Sequence, residues 1–390
     1  SEMCIRDRYI VNVETDVGFG LPTFDMSGAL GSKVREAKDR VRVAIKNSGI
    51  ELTPQKIVIN ISPANIRKEG TIYDLPIAIG ILAANGCFDL KILENVLIIG
   101  EVSLDGSINP VKGVLPMVCA AKEAGIDNCI IPKANIAEGR IMNNINIYVV
   151  ETLSQTIEIL KNIAVIDGSR KNIKQADVKS GECNKSDGNI NNDTYNVLER
   201  SRVKFTYGSE VKNNNHSCSY NIDYSDISGQ EAAKRATMIA VSGMHNIMYI
   251  GPPGSGKTML AQRIPTIMPD MDYEEQLRLT KIYSVAGLLD SEGGIMVKRP
   301  FRNPHHTITQ AALLGGGAVP RPGEITLSEG GVLFLDEMTE FNQVIMEALR
   351  QPLEDKVITL VRVNAAYTYP AHFMLCLLYT SDAADDRISV

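Results

Sequence analysis

The stretch Gly251-Pro252-Pro253-Gly254-Ser255-Gly256-Lys257-Thr258 decides the fold of the second half of this chain. It matches the pattern G-x-x-x-x-G-K-[ST], in which glycines let backbone N–H groups turn inward around phosphate oxygens. The apolar segment 247–250 precedes it, and 259–264 has helical character. A strand, a glycine-rich loop and a helix in this order predict an α/β nucleotide-binding domain. Lys257 is expected to contact the β/γ-phosphates of ATP, and the Thr258 hydroxyl is expected to bind Mg²⁺.

A second motif is the run Gly331-Val332-Leu333-Phe334-Leu335-Asp336-Glu337, which is apolar and ends in two acidic residues. A leucine-rich strand followed by an acidic helix cap is common by itself. Beside a phosphate loop, it predicts a buried parallel strand that carries carboxylates to the nucleotide. We expect Asp336 to hold Mg²⁺ and Glu337 to polarise the attacking water, so the two motifs together indicate a nucleotide hydrolase.

Composition sets the broad class of the protein. The 390 residues are 44% hydrophobic and suffice for two or three domains, each with its own core. The net charge is −6, so any nucleic-acid binding must use local basic patches. No apolar stretch reaches the roughly 18 residues of a membrane span, and no secretion signal is recognised. The seven cysteines show no metal-ligand spacing and are typical of the reduced thiols of a cytoplasmic protein.

Alternating β-like and helical patterns predict an α+β domain over residues 9–161. Strands are expected at 9–15, 56–61 and 96–99, and helices at 32–47, 75–84 and 114–124. Residues 162–221 are rich in Asn, Lys, Ser, Asp and Gly and are interpreted as a flexible linker. A nucleotide-binding core is predicted over 222–374, and its first helix is expected to begin with a capping box of Ser228 and Glu231.

The two ends of the chain fit no pattern of strands or helices. Residues 1–8 and 375–390 are therefore interpreted as non-native tails, with genuine disordered termini as the alternative. If the core stops at 374, its sheet is unfinished and is expected to leave an exposed apolar edge. The sensor residue, the arginine finger and the helical lid of such an ATPase are then also missing. We expect this chain to bind ATP·Mg²⁺ weakly and not to turn it over.

Residues 9–374 resemble the magnesium-chelatase-like AAA+ ATPases of the ComM/YifB family. The resemblance is carried by both nucleotide motifs and by Gly20-Leu21-Pro22, 33–41, 68–70, 73–78, Gly100-Glu101-Val102, 300–306, Gly315-Gly316-Gly317 and 322–325. It implies a cytoplasmic ATPase that forms a homo-hexamer and acts on single-stranded or branched DNA as a helicase or branch-migration factor linked to DNA uptake. A chelatase-like or protein-remodelling ATPase that acts on a protein partner is the alternative.

The first domain resembles the proteolytic domain of Lon-type proteases, a fold also related to ribosomal protein S5. Its nucleophile would be a serine and its base a lysine. At the matching positions this chain carries Asp74 and Pro116, which have neither function. Ser62 and Lys112 are the remaining candidates for such a pair, and an ATP-dependent protease is the least favoured function.

The second domain contains two segments that the resemblance identifies as insertions. Residues 313–324 are predicted to form a mobile loop or hairpin tip, and 357–369 a second hairpin with its turn at 364–366. Arg321 and Arg362 in these segments are the candidate contacts to DNA phosphates. The adjacent residues His305 and His306 are not predicted to bind a metal, because neighbouring side chains of a strand face opposite sides and no third ligand is near in sequence. A structural or subunit-contact role is favoured for them.

Overall fold

The computed structural model describes residues 10–88, 90–163, 202–203, 222–289, 294–317, 321–362 and 365–380. The described residues fall into two compact units. The first spans residues 9–207, and the second consists mainly of residues 208–289 and 295–390. The predicted tail 1–8 lies outside the described residues. Among the described residues no helix is long and apolar enough to cross a membrane.

The first sheet of the first unit has three strands in the order β1-β3-β2. They are β1 (Asn12–Gly18), β2 (Phe24–Ser27) and β3 (Lys56–Ser62). Strand β1 runs antiparallel to β3, and β2 runs parallel to it. The strand predicted over 9–15 begins later, at Asn12, which pairs with the last residue of β3, Ser62. Pro63 follows Ser62 and has no N–H to continue the ladder.

Three helices pack on this sheet, α1 (Ser32–Arg35), α2 (Ala37–Asn47) and α3 (Asp74–Ala84). The helix predicted over 32–47 is divided at Glu36, yet its predicted apolar face lies in the core. The buried residues of that face are Val34, Ala37, Val41, Ala44 and Ile45. Helix α3 is buried on nearly all sides, as its continuous apolar sequence predicts.

The second sheet of the first unit has the order β4-β7-β8-β9, and a hairpin of β5 (Glu101–Val102) and β6 (Ile108–Asn109) lies outside it. The sheet strands are β4 (Val96–Ile98), β7 (Asn128–Pro132), β8 (Asn146–Val150) and β9 (Arg202–Val203). The helices of this part are α4 (Val114–Glu123), α5 (Ile136–Gly139) and α6 (153–163).

Strand β9 corrects the interpretation of residues 162–221 as a linker throughout. Arg202 and Val203 pair antiparallel with Tyr148 and Ile147 of β8 and so extend the sheet of the first unit. Helix α6 also continues to residue 163. A composition without apolar periodicity did not reveal so short a strand, because an edge strand is held by backbone hydrogen bonds to its neighbour. The other residues of this segment lie outside the described ones.

The second unit is built on a parallel sheet with the order β10-β17-β14-β11. Its strands are β10 (Ile247–Gly251), β11 (Phe301–Arg302), β14 (Val332–Leu335) and β17 (Met374–Thr380). Every residue of β14 is buried, as expected of a central parallel strand. Helix α7 (Glu231–Ser242) precedes β10 in the chain, and helices α8 (Lys257–Gln262) and α9 (Tyr273–Ala286) follow it.

Strand β17 shows that the prediction of a core ending at 374 was wrong. Residues 375–380 form a strand between β10 and β14, and Cys376 and Leu378 are buried there. The apolar run 374–378 supplies the buried side chains that this position requires. The sheet therefore has its central strand, and its exposed apolar residues lie on the edge strand β10, at Met248 and Ile250. Residues 381–390 lie outside the described ones.

The remaining elements of the second unit are short helices and two hairpins. The helices are α10 (Gln310–Leu314), α11 (Glu324–Leu327), α12 (Gln343–Ala348) and α13 (Arg350–Asp355). The hairpins are β12 (Gly315–Gly316) with β13 (Arg321–Pro322) and β15 (Val357–Arg362) with β16 (Ala365–Pro370). Both overlap the predicted insertions, but Ala365 and Ala366, which were predicted to lie in the turn of the second hairpin, belong to β16 and pair with Arg362 and Val361.

The predicted capping box of Ser228 and Glu231 is wrong. Helix α7 begins after Gln230, which has a left-handed backbone with φ of 57° and no side-chain cap. The capping box lies earlier, where Asp223 and Asp226 cap a 3₁₀ turn. The N-cap residue of α7 is Gln230, so Ser228 lies two residues before the cap position. Ser228 and Glu231 have the spacing of a capping box but do not occupy its positions.

Candidate nucleotide site

The phosphate loop occupies residues 252–256, between β10 and α8. Gly254 and Gly256 have φ of +76° and +83°, a conformation that a side chain disfavours. Nothing lies within 4 Å of a Cβ built on either glycine, so backbone conformation, and not space, requires glycine there. Pro252 and Pro253 are exposed, and Gly251 and Ser255 are half-buried. The loop is thus open to an incoming ligand on its proline side.

Lys257 lies at the first position of α8, and only 8% of it is exposed. Its Nζ donates to the carbonyl oxygens of Gly251 and Pro252, at 2.7 Å each, and lies 3.4 Å from Ser255 Oγ. Within the part of the chain that the structure describes, no carboxylate forms an ion pair with this ammonium group. A buried cation that is held only by neutral oxygens is poorly compensated, and it favours an anionic ligand in the loop.

The acidic motif reaches the same edge of the sheet. Asp336 and Glu337 directly follow β14, and the phosphate loop directly follows β10. Both strands are parallel to β17, which lies between them, so the strands are two strand spacings, about 10 Å, apart. Leu335 is level with Met248, because both pair with Leu377, and Gly251 ends β10 three residues further along. The loop and the two acidic residues therefore lie on the same edge of the sheet, with one strand between them.

Thr258 and Asp336 fit the chemistry of a magnesium site. Both are half-buried, and they offer a hydroxyl and a carboxylate oxygen, the hard donors that Mg²⁺ binds. Burial, followed by the nearby charge of Asp336, raises the pKa of the Cys376 thiol in β17 to about 12. Asp336 directly follows β14, which pairs with β17, so it lies beside the central strand.

Glu337 is exposed and has a left-handed backbone with φ of 55°. A residue other than glycine adopts this conformation at a cost of about 1–3 kcal/mol, and such costs concentrate at functional positions. At Glu337 the backbone turns away from the direction of β14, and the 3₁₀ turn Met338–Glu340 begins after it. Glu337 is thus presented at the rim of the sheet, while Asp336 stays close to it.

No third ligand lies near His305 and His306 in the sequence, but the fold places acidic residues of another segment beside His306. Its Nδ1 lies 3.2 Å from Glu340 Oε2. The ligand atoms of His306, Glu337 and Glu340 all lie within 4.8 Å of one another. The argument from neighbouring strand residues failed because the histidines follow β11 in a turn, and the fold brings the acidic motif to them.

Arg302 and Glu324 form a contact that sequence reasoning missed. Arg302 Nε and a terminal nitrogen lie 2.6 and 2.8 Å from the two carboxylate oxygens of Glu324. This two-pronged pair joins β11 to α11 and raises the pKa of Arg302. Both residues belong to motifs that carry the family resemblance, and their pairing gives those motifs a structural role. The available signal was a charged residue of opposite sign in each of the two motifs.

The two candidate DNA contacts lie on different hairpins. Arg321 is exposed at the start of β13, and Arg362 is the last residue of β15. The β12–β13 hairpin is tightly packed at its base, because a Cβ on Gly323 would lie 2.3 Å from the backbone nitrogen of Gly315. Residues 318–320 and 363–364, at the hairpin tips, lie outside the described residues.

In the first unit, the residues at the expected positions of the protease nucleophile and base have structural roles. Asp74 is fully buried at the start of α3 and is bound by Arg40. Pro116 lies in the first turn of α4, and Lys112 is exposed. The Ser62 hydroxyl donates to Glu14, at 3.5 Å.

Comparisons with known proteins give the family. The family model described as magnesium chelatase, subunit ChlI, matches residues 223–381, and a second model, subunit ChlI of Mg-chelatase, matches 13–135. The competence protein ComM of Haemophilus influenzae is 36% identical over 368 residues, which cover 94% of this chain and 64% of that protein. The uncharacterized protein YifB of Escherichia coli is 37% identical over 365 residues, with the same two coverages.

A third relative concerns a shorter part of the chain. The archaeal Lon protease of Thermococcus kodakarensis is 31% identical over 151 residues, which cover 37% of this chain and 23% of that protein. The chain spans less than two thirds of the length of ComM or YifB. The matches to both run through nearly all of it and agree with the motifs and the parallel sheet described above. The chain belongs to the ComM/YifB family of magnesium-chelatase-like AAA+ proteins.

Proposed function

We propose that this protein is an ATP-dependent AAA+ motor that acts on DNA as a homo-hexameric ring, as a helicase or branch-migration factor. The observation that carries the ATPase proposal is the Lys257 ammonium group, which is buried beside the glycine loop and whose partners among the described residues are neutral oxygens. Membership of a magnesium-chelatase-like family supports the use of ATP and Mg²⁺.

In this proposal each residue of the site has a separate task. Lys257 leaves the Gly251 and Pro252 carbonyls and pairs with the β/γ-phosphates, and the backbone N–H groups of Gly254, Ser255 and Gly256 donate to phosphate oxygens. Thr258 and Asp336 would hold Mg²⁺, which neutralises charge on the phosphates. Glu337 accepts a hydrogen bond from the attacking water and orients it. Lys257 lies on α8 and Glu337 follows β14, so phosphate binding by Lys257 and water activation by Glu337 are separable by mutation.

Titration with a fluorescent ATP analogue and Mg²⁺ tests the proposal. We expect Lys257→Ala to weaken binding at least tenfold, because it removes the charge-assisted bonds to phosphate. We expect Glu337→Gln to bind like the unaltered protein and, in the complete protein, to abolish turnover. Lys122→Ala is a matched control, since Lys122 also donates to a backbone carbonyl but is exposed and lies in the first unit. Equal affinities for Lys257→Ala and the control would refute the phosphate-loop assignment.

The proposal of DNA as the substrate rests on the resemblance and on the exposed cation Arg321 at a hairpin. An acidic protein holds DNA phosphates only through local cations of this kind. The name of the relative ComM, a competence protein, supports a link to DNA uptake. Proteolysis is not proposed, because the candidate nucleophile position is an aspartate that is bound by Arg40.

A further inference from the structure

The side chains of His306, Glu337 and Glu340 come from two separate segments and converge at the rim of the parallel sheet. His306 follows β11, Glu337 directly precedes the 3₁₀ turn that follows β14, and Glu340 is the last residue of that turn. The fold brings one ligand atom of each of the three side chains to within 4.8 Å of the others. The Glu340 N–H donates to the Glu337 carbonyl, at 2.9 Å, and closes this turn.

We propose that these three residues form a binding site for a divalent transition-metal cation of the zinc class. The donor set of one imidazole and two carboxylates is typical of Zn²⁺ and of its neighbours Co²⁺ and Mn²⁺. Nitrogen is a poor ligand for Mg²⁺, which prefers oxygen donors, so the site is chemically distinct from the magnesium site proposed at Thr258 and Asp336.

The distances suit such an ion. Ligand atoms at about 2.0–2.2 Å from a tetrahedral Zn²⁺ lie roughly 3.3 Å from one another. His306 Nδ1 and Glu340 Oε2 are already 3.2 Å apart. The ligand oxygen of Glu337 is within 4.8 Å of both and must approach by at most about 1.5 Å. Glu337 is exposed, so rotation of its side chain supplies this movement.

The imidazole is oriented by its neighbours before any ion binds. The ring of His305 lies against that of His306, with centroids 4.0 Å apart, and Phe341 meets His306 edge-on at 6.5 Å. The His305 ring is itself fixed, since its Nδ1 bonds the Thr307 hydroxyl at 2.9 Å and accepts from the Thr307 N–H at 3.3 Å. A ligand with a fixed ring loses little freedom when a metal binds.

Occupation of the site would remove Glu337 from catalysis. A carboxylate that coordinates a cation no longer accepts a hydrogen bond from the attacking water, whereas Lys257 and the phosphate loop stay as they are. A zinc-class ion is thus expected to inhibit hydrolysis without displacing the nucleotide. This consequence rests on the proposed ATPase, whereas binding of the metal does not.

Titration of the untagged chain with Co²⁺, followed by visible absorption, tests the site directly. We expect one Co²⁺ ion with the bands of low-symmetry coordination, displaced by Zn²⁺. His306→Ala and Glu340→Gln should each weaken binding at least tenfold. His245→Ala is the control, because His245 is an exposed histidine of the same unit that does not belong to the cluster. Glu340 is exposed, so its variant remains informative if His306→Ala does not fold.

The Lys257→Ala variant separates this inference from the proposed function. It should lose the ATP analogue and bind Co²⁺ as before. Unchanged Co²⁺ affinity in both His306→Ala and Glu340→Gln would refute the site. Thiolate charge-transfer absorption in place of the expected bands would also refute it, since the ion would then be held by cysteines.

Discussion

Arg40 binds the buried carboxylate of Asp74 through two parallel hydrogen bonds, from Nε at 2.8 Å and from a terminal nitrogen at 2.9 Å. The same guanidinium donates to the Lys33 carbonyl at 2.9 Å. Burial raises the pKa of the Asp74 carboxyl, and the bonds from Arg40 act in the opposite direction. Asp74 starts α3 and Arg40 lies in α2, so the pair fastens the two helices of the first unit together.

We expect Arg40→Ala to lower the free energy of unfolding by about 3 kcal/mol, because it leaves a fully buried carboxylate without its partner. The double variant Arg40→Met with Asp74→Leu should lose less than Arg40→Ala alone, since no charge is then buried. Urea denaturation measures both, and hydrogen exchange of peptides from 37–47 and 74–84 assigns the change to this unit. Arg42→Ala, an exposed site on the same helix, is the control. Equal losses for Arg40→Ala and Arg42→Ala would contradict the prediction.

The chain is expected to lack peptidase activity. Asp74 is bound by Arg40, and Pro116 has no amine to act as a base. Incubation of the full chain with unfolded casein, ATP and Mg²⁺ should give no more cleavage than its Ser62→Ala variant. Cleavage that Ser62→Ala abolishes would show that the remaining serine is a nucleophile.

Cys376 provides a test of strand β17. Its thiol is buried, and its pKa is raised to about 12, so alkylation near pH 8 should be slow in the folded protein. Cys87 is half-buried and should react first. Peptide mapping after a short pulse of iodoacetamide compares the two cysteines within one sample, with urea-unfolded protein as the reference for full reaction. Rapid labelling of Cys376 in the native chain would mean that residues 374–380 do not occupy the centre of the sheet.

Glu329 is expected to make the stability of the second unit depend on pH. Its carboxylate accepts from the His372 N–H at 2.7 Å, but burial raises its pKa above the ordinary value of 4.5. A raised pKa contributes stability that is complete below the ordinary value and is lost as pH rises through the folded value. Glu329→Gln keeps an acceptor and carries no charge, so the unaltered protein should lose stability relative to this variant as pH rises from about 4.5. Urea denaturation at several pH values measures the free energy of unfolding of both proteins. If this free energy depends on pH in the same way in both, Glu329 is not the cause of the pH dependence.

DNA binding is expected to depend on the hairpin arginines. Arg321→Ala and Arg362→Ala should weaken binding of forked DNA in the full protein, and each lost phosphate contact should reduce the salt dependence by roughly 0.9 in log–log slope. Affinity for the ATP analogue should not change. Fluorescence anisotropy at several salt concentrations measures binding, with Arg350→Ala, an exposed arginine paired with Glu354, as the control. If the double variant binds DNA like this control, the contact lies elsewhere.

The local sequence determined those elements whose physical cause lies within a few neighbouring residues. Gly254 and Gly256 are required by the left-handed turns of the phosphate loop, and the apolar run of β14 is required by burial on both faces. The helical face Val34, Ala37, Val41, Ala44 and Ile45 was predictable from its spacing for the same reason. These features depend on residues close together in the chain, so a pattern contains the whole cause. The sequence alone therefore determined the nucleotide-binding motifs, the class of each unit and the family resemblance.

The tertiary structure alone decided which distant residues meet. It paired Arg40 with Asp74 and Arg302 with Glu324, and it brought His306 to the acidic motif. It also placed β17 in the centre of its sheet and β9 at the edge of another, where composition had indicated a tail and a linker. Such pairings follow from strand order and helix packing, which bring together residues tens of positions apart. No local pattern records that choice, because its free energy comes from contacts that exist only in the folded chain.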